Sequence, residues 1–169
     1  MEQMFGGSVP TLRTILDAIG EVPTVMPTST VREASQIMAE LRKGVLVMDR
    51  KGKELVGIFT PKDLLTRVIA KNLSPDDTLV SAVMTPNPDT VSGDLTLLDA
   101  LKEMHDQRFL HLPVKEPNGK VIGLVDVMDL VSHSAGGEGG KGWRDFFKGA
   151  IEARGDGSDT ASDRSDSVA

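Results

Sequence analysis

The apolar positions of the chain alternate between helical spacing and short continuous runs, a pattern typical of helices interleaved with buried strands. Val31, Ala34 and Met38 fall on one side of a helix that begins at a capping pair, Thr30 and Glu33. The predicted elements are a helix at 11–19, a strand at 24–26, a helix from residue 31 that Gly44 ends, strands at 45–48 and 55–59, and a helix from Pro61 with Leu64, Leu65, Val68 and Ile69 on its buried side.

The same order of elements returns at a constant spacing. Gly57 and Asp63 match Gly123 and Asp129, and Leu46 matches Leu112, so the two copies align without a gap. Each copy has too few apolar elements to bury their faces alone. We therefore predict an α/β fold of two strand-helix-strand-strand-helix repeats, packed sheet to sheet around a pseudo-twofold axis.

The repeats occupy the middle of the chain. The stretch from Trp143 to Ile151 places its aromatic and aliphatic residues at helical spacing, so it either folds back on the repeats or docks a protein partner or a second copy. We predict a flexible N-terminus at 1–10, repeat 1 at 11–72, a connector at 73–78, repeat 2 at 79–134, a Gly-rich linker at 135–142, an amphipathic helix at 143–154 and a disordered acidic tail at 155–169.

Composition narrows the class of protein. A net charge of −6 argues against a broad basic surface for nucleic acid, and the absence of cysteine excludes disulfides and thiolate chemistry. The chain has no apolar run long enough for a membrane span and no signal-peptide pattern at its start, so we expect a cytoplasmic protein without a membrane partner. The histidines lack metal-ligand spacing and no catalytic motif is present, so we expect neither a metal site nor an enzyme.

Thr60 and Asp63 carry the clearest candidate chemistry. They lie three residues apart at the start of a helix, with Pro61 at its first position. One interpretation is structural, because a hydroxyl and a carboxylate at this spacing cap a helix without any ligand. The other is functional, because a carboxylate accepts two hydroxyl protons in a bidentate manner and a helix start attracts phosphate.

The chain resembles a tandem pair of CBS domains, the module named after cystathionine beta-synthase. The matching residues are Val83-Met84-Thr85, Thr96 through Ala100, Arg108 through Val114, Asn118-Gly119 and the two Gly-x-x-x-x-x-Asp stretches that begin at Gly57 and Gly123. The stretch 59–73 is most similar to eukaryotic proteins that join such a pair to a C-terminal PB1 interaction domain.

This resemblance implies an adenine-nucleotide site between the repeats. In the family pattern the Asp takes the ribose hydroxyls, the Thr lies near the phosphate, and the other repeat completes the adenine slot. Carried over to this chain, the first site comprises Ile58, Thr60 and Asp63 from repeat 1 and Met84, Asn87, Asp89, Leu110 and His111 from repeat 2.

The resemblance also implies a second, weaker site. Asp126 replaces the hydroxyl there, so two carboxylates and Glu21 crowd the phosphate position while Gly44 and Val45 offer no cation. We therefore predict that the second site is empty or takes an uncharged adenosine-like group. Its residues are Asp126, Asp129, Glu21, Pro23 and Val45, with Ala18 and Gly44 nearby.

The function that follows is a regulatory one. We expect an adenine nucleotide of the AMP, ADP or ATP type to bind between the repeats of a homodimeric module and to bias an attached domain or partner. The alternative is a dimerisation or scaffolding module that binds no ligand.

Overall fold

The computed structural model describes residues 10–134, and the predictions for 1–9, for the linker at 135–142, for the Trp143–Ile151 helix and for the acidic tail lie outside this range. The described helices are α1 Leu12–Ile19, α2 Val31–Leu41, α3 Pro61–Asp63 with a π-helical turn Leu64–Val68 and a 3₁₀ turn Ile69–Lys71, α4 Val80–Val83, α5 Leu97–Gln107 and α6 Val127–Ser134. The strands are β1 Thr24–Val25, β2 Val45–Met48, β3 Leu55–Phe59, β4 Thr85–Pro86, β5 Val91–Ser92, β6 His111–Lys115 and β7 Val121–Asp126.

The strands form two sheets that face each other, which confirms the predicted fold class. The first sheet has the order β1-β2-β3-β4 and the second has the order β5-β6-β7. Leu46, Met48 and Ile58 of the first sheet meet Leu124 of the second in one buried cluster. Strand β4 was not among the predicted elements, and its two residues pair antiparallel with β3.

Each repeat receives its leading helix from the other repeat. Leu12 and Leu16 of α1 lie in the core of the second repeat, with α5 and strands β6 and β7. Val80 and Val83 of α4 lie in the core of the first repeat, with α2 and strands β2 and β3. Neither half of the sequence therefore holds a complete core of its own.

The register of the β6–β7 hairpin in the second repeat is shifted by one residue relative to that of the β2–β3 hairpin in the first repeat. Leu46 lies opposite Ile58, whereas Leu112 lies opposite Val125 and not opposite Leu124, the residue equivalent to Ile58. The gapless alignment is therefore wrong within β6. His111 takes the place of Gly44, on the face of the sheet that turns toward the first repeat.

The helix after β3 also departs from expectation. Val68 is fully buried and Leu64 is half-buried, but Leu65 and Ile69 are 64% and 51% exposed. The reason is the π-helical turn at Leu64–Val68, whose wider hydrogen bonding rotates the residues away from regular helical spacing. The predicted buried side of this helix is wrong for Leu65 and Ile69.

Gly44 does not end α2, as the sequence suggested. The helix ends at Leu41, and Arg42 takes the left-handed conformation with φ 55°. Gly44 has another role, because a Cβ at this position would lie 3.2 Å from the Phe59 carbonyl oxygen and 3.4 Å from His111 Cδ2. A side chain at this position would therefore crowd the end of β3 in the same repeat and would contact the His111 ring of the other repeat.

Candidate functional site

Thr60 and Asp63 form a reciprocal cap at the start of α3. The backbone N–H and the hydroxyl of Thr60 both donate to Asp63 Oδ2 at 3.0 Å, and the Asp63 N–H donates to Thr60 Oγ1 at 3.4 Å. This arrangement stabilises the helix start without a ligand. It also orients a carboxylate whose Oδ1 stays outside the cap, 3.6 Å from Arg67 Nε.

Asp63 lines a cavity of about 550 Å³ between the repeats. Met84, predicted for this site, does not line it. The Met84 side chain packs against Gly57, where a Cβ would lie 2.3 Å from Met84 Sδ. The other residues predicted for the first site are brought together in the cavity wall: Ile58, Thr60, Asp63, Asn87, Asp89, Leu110 and His111.

Two larger cavities lie elsewhere. One of about 740 Å³ is lined by residues of both hairpin turns, such as Lys53 and Asn118, and one of about 900 Å³ is lined by strand β1 and the turn after β2, with residues such as Thr24 and Lys51. Neither is lined by a residue of the Thr60–Asp63 motif or of its counterpart. Volume alone therefore does not identify the site. The smaller cavity is favoured because a buried carboxylate, a half-buried imidazole and several cations converge on it.

Three cations line the same cavity: Lys62, Arg67 and Arg108. Arg67 is fixed in place, since its Nη1 donates to the carbonyls of Val83 at 3.1 Å and Met84 at 2.7 Å. Neither Arg67 nor Arg108 was among the residues predicted for this site. The spacing of Asp63 and Arg67 by four residues signals an ion pair on one helix face, but the carbonyl contacts arise from the tertiary approach of α4.

His111 enters the cavity from β6, with its side chain half-buried. Burial lowers the pKa of the His111 imidazole below its ordinary value. The carboxylates of Asp126, Asp129 and Asp63 act in the opposite direction, and the Lys43 ammonium lowers the pKa further. The imidazole is therefore neutral at pH 7 and offers a ligand one donor and one acceptor.

The second predicted site is organised around a cation that the sequence interpretation missed. The Asp126 N–H donates to Asp129 Oδ2 at 3.0 Å, and the Asp129 N–H donates to Asp126 Oδ1 at 2.8 Å. The Lys43 Nζ donates to Asp129 Oδ2 at 2.9 Å from across the repeat boundary. Gly44 and Val45 carry no charge, as the sequence interpretation noted, but the neighbouring Lys43 supplies a cation to Asp129.

The remaining residues predicted for the second site lie in different environments. Val45 is fully buried in the helix-side core of the first repeat, and Glu21 is exposed. Pro23 is buried and its carbonyl accepts the Leu46 N–H at 2.8 Å. The one-residue offset of β6 explains part of this difference, because Gly44 and not Val45 is the spatial counterpart of His111.

Among residues 10–134, no group of three or more His, Asp or Glu side chains is placed to hold a metal ion. In the same range, none of the helices is both long and apolar enough to cross a membrane.

The structure is that of a two-repeat α/β protein with a ligand-sized cavity between the repeats. Comparison with known proteins identifies the family that has this architecture. The family model for the CBS domain matches residues 12–70 and again 80–136. The chain therefore belongs to the CBS domain family and contains a tandem pair.

Individual proteins of this family are similar to most of the chain. The CBS domain-containing protein CBSCBSPB3 of Arabidopsis thaliana is 43% identical over 134 residues, which are 79% of this chain and 23% of that protein. The chain thus spans about a quarter of the length of that curated relative. The crystal structure of the CBS-domain containing protein ATU1752 from Agrobacterium tumefaciens aligns with a TM-score of 0.67 at 30% identity, over 78% of this chain and 98% of the other.

A further solved structure holds a ligand. The crystal structure of CBSX2 in complex with AMP aligns with a TM-score of 0.55 at 28% identity, over 68% of this chain and 88% of that one.

Proposed function

We propose that this CBS pair is a cytoplasmic, non-enzymatic regulatory module that binds an adenine nucleotide in the cavity at Asp63 and transmits the bound state to an attached domain or partner. The observation that carries the proposal is the position of Asp63 Oδ1. This oxygen lies outside the Thr60 cap, in a cavity that the second repeat closes with Leu110 and His111. The AMP complex of CBSX2 supports an adenine nucleotide as the ligand class.

The charge of the cavity suits a phosphate although the protein is acidic overall. Lys62, Arg67 and Arg108 supply three positive charges and Asp63 and Asp89 two negative ones, so the lining carries a net charge of +1 with His111 neutral. A positively charged cleft attracts anionic ligands even though the whole chain carries a net charge of −6. The ribose hydroxyls would bind Asp63 Oδ1, and the apolar surfaces of Ile58 and Leu110 would contact the base.

Thermal unfolding with adenosine, AMP, ADP, ATP and S-adenosylmethionine tests the proposal. A ligand at about 100 times its Kd adds about 2.7 kcal/mol to the free energy of unfolding, which shifts Tm by several degrees. We expect a shift with at least one phosphorylated ligand, and we expect Asp63→Ala to abolish it.

Asp99→Ala is the matched control for Asp63→Ala. Asp99 pairs with the cap residue Thr96 at 2.8 Å and at the same spacing, but it lies at the start of α5 and outside the cavity. Asp99→Ala should lower Tm and leave the ligand-induced shift intact. A shift that persists in Asp63→Ala would place the ligand elsewhere.

Exposed apolar side chains favour the second candidate, a ligand-independent homodimerisation or scaffolding module. Leu65, Ile69 and Met128 are each more than half exposed. If the mass in solution is that of a dimer and no nucleotide changes Tm or the dimer, the scaffold function replaces the regulatory one.

A further inference from the structure

Arg67 contacts both the Asp63 carboxylate and the end of α4. Its Nε lies 3.6 Å from Asp63 Oδ1, and its Nη1 donates to the carbonyls of Val83 at 3.1 Å and Met84 at 2.7 Å. The last carbonyls of a helix have no partner within the helix, so a guanidinium with several N–H groups satisfies them well. One side chain therefore joins the carboxylate proposed to bind ribose to the last turn of α4.

Helix α4 leads into the wall of the cavity that faces Asp63. Val83 of α4 lies in the same buried cluster as Val68, the residue next to Arg67. After α4 the chain forms β4 and then reaches Asn87 and Asp89, which line the cavity. A contact that holds the end of α4 therefore also holds the start of this wall.

The second repeat makes a different contact at the corresponding position. His133 lies four residues after Asp129, as Arg67 lies four residues after Asp63. The His133 Nδ1–H donates to the Asp129 carbonyl at 2.7 Å, within its own helix. Among residues 10–134, no hydrogen bond or ion pair joins His133 to α1, the helix equivalent to α4. The fold itself therefore does not require such a contact, and in the described residues it belongs to the first site.

We infer that Arg67 is a positioning residue that couples nucleotide binding at Asp63 to the packing of α4. A separation of 3.6 Å is longer than a hydrogen bond, so Asp63 Oδ1 keeps its capacity to accept ribose hydroxyls. A ligand on Asp63 is then bound best while α4 is packed in the first repeat, and by reciprocity it stabilises that packing. This inference rests on the proposed function for its ligand and adds the route by which the bound state reaches the leading helix of the second repeat.

Binding of adenosine, measured by equilibrium dialysis, separates positioning from contact with a phosphate. Adenosine is uncharged, so the loss of a positive charge does not by itself weaken it. We expect Arg67→Met to raise the Kd of adenosine about tenfold, because the variant no longer holds Asp63 and α4 together. Lys71→Met removes a positive charge from an exposed position just after Arg67, outside the cavity, and is the matched control that should leave the Kd unchanged. A folded Arg67→Met chain with weaker AMP but unchanged adenosine binding would make Arg67 a phosphate ligand and overturn the inference.

Hydrogen exchange tests the link without any ligand. The Met84 N–H donates to the Val80 carbonyl at 2.8 Å and closes α4. We expect this amide to exchange about tenfold faster in Arg67→Met. The Gly20 N–H closes α1 in the same way, on the Leu16 carbonyl at 2.8 Å, and should be unchanged. Unchanged exchange at Met84 would overturn the inference. If the wild type binds no nucleotide but Met84 responds, the proposed function is wrong and the link from Arg67 to α4 stands.

Two further measurements cover the case in which Arg67→Met does not fold. Arg67→Lys keeps the charge but not the planar fork of N–H groups, so the same direction of change is expected for adenosine and for the Met84 amide. In the wild type, saturating AMP should slow exchange at Met84 more than at Gly20. Equal slowing at both amides would mean that the nucleotide stabilises the whole molecule without acting through α4, which contradicts the inference.

Discussion

At the scale of single residues, His111 is a charge-sensitive group in the cleft between the repeats. Burial lowers its pKa, while Asp126, Asp129 and Asp63 oppose the shift and Lys43 adds to it. The unfolded chain therefore binds more protons than the folded chain between the lowered pKa and the ordinary value near 6.5. Stability rises with pH wherever the unfolded state binds more protons.

We expect the titration of His111 to lower the free energy of unfolding as the pH drops below about 6.5. This contribution of His111 should level off below its pKa in the folded protein. His111→Gln should remove the component because the side chain no longer titrates. Urea unfolding at a series of pH values measures it. His105→Gln, at a side chain that is 87% exposed, is the control. Identical pH profiles for wild type and His111→Gln would contradict the assignment.

Local motifs allowed some site residues to be predicted from sequence and not others. Thr60 and Asp63 lie three residues apart, so their cap follows from the sequence alone. Arg67 was missed because its partners, the carbonyls of Val83 and Met84, approach only in the folded protein. Lys43 was missed because its partner lies 86 residues away, across the repeat boundary.

At the scale of elements, the helix after β3 shows where periodicity fails. The spacing of its apolar residues is regular, and it predicts a single buried side. The π-helical turn at Leu64–Val68 breaks that regularity, and no Gly or Pro within the turn signals it. The offset of β6 is similar, because the identity of Leu46 and Leu112 conceals one extra residue before the strand.

The two faces of this helix should respond differently to substitution. Val68→Ala removes two methyl groups from a fully buried site, so we expect a loss of about 2 kcal/mol in the free energy of unfolding. Leu65→Ala, at a side chain 64% exposed, should change it by less than about 0.5 kcal/mol. Urea unfolding of both variants measures the difference. If Leu65→Ala costs as much as Val68→Ala, this side chain is buried in an assembly.

At the scale of the whole molecule, the exchange of leading helices joins the repeats into one structure. The core of the second repeat depends on Leu12 of α1, and the core of the first depends on Val80 of α4. A buried cluster between the sheets and the Lys43–Asp129 pair connect them again. The repeated sequence predicted two units, but the distribution of buried residues makes each unit incomplete without the other.

The repeats should therefore unfold together. Leu12→Ala should cost about 3 kcal/mol and Val80→Ala about 2 kcal/mol, since both side chains are fully buried. Each variant should lower one shared thermal transition, and hydrogen exchange should show the slowest amides of β2 and β6 losing protection equally. Leu98→Ala, at a residue of α5 that is 54% exposed, is the control and should leave both strands protected. Loss of protection in β6 alone after Leu12→Ala would mean that the repeats unfold independently, and a nucleotide at Asp63 would then stabilise only part of the molecule.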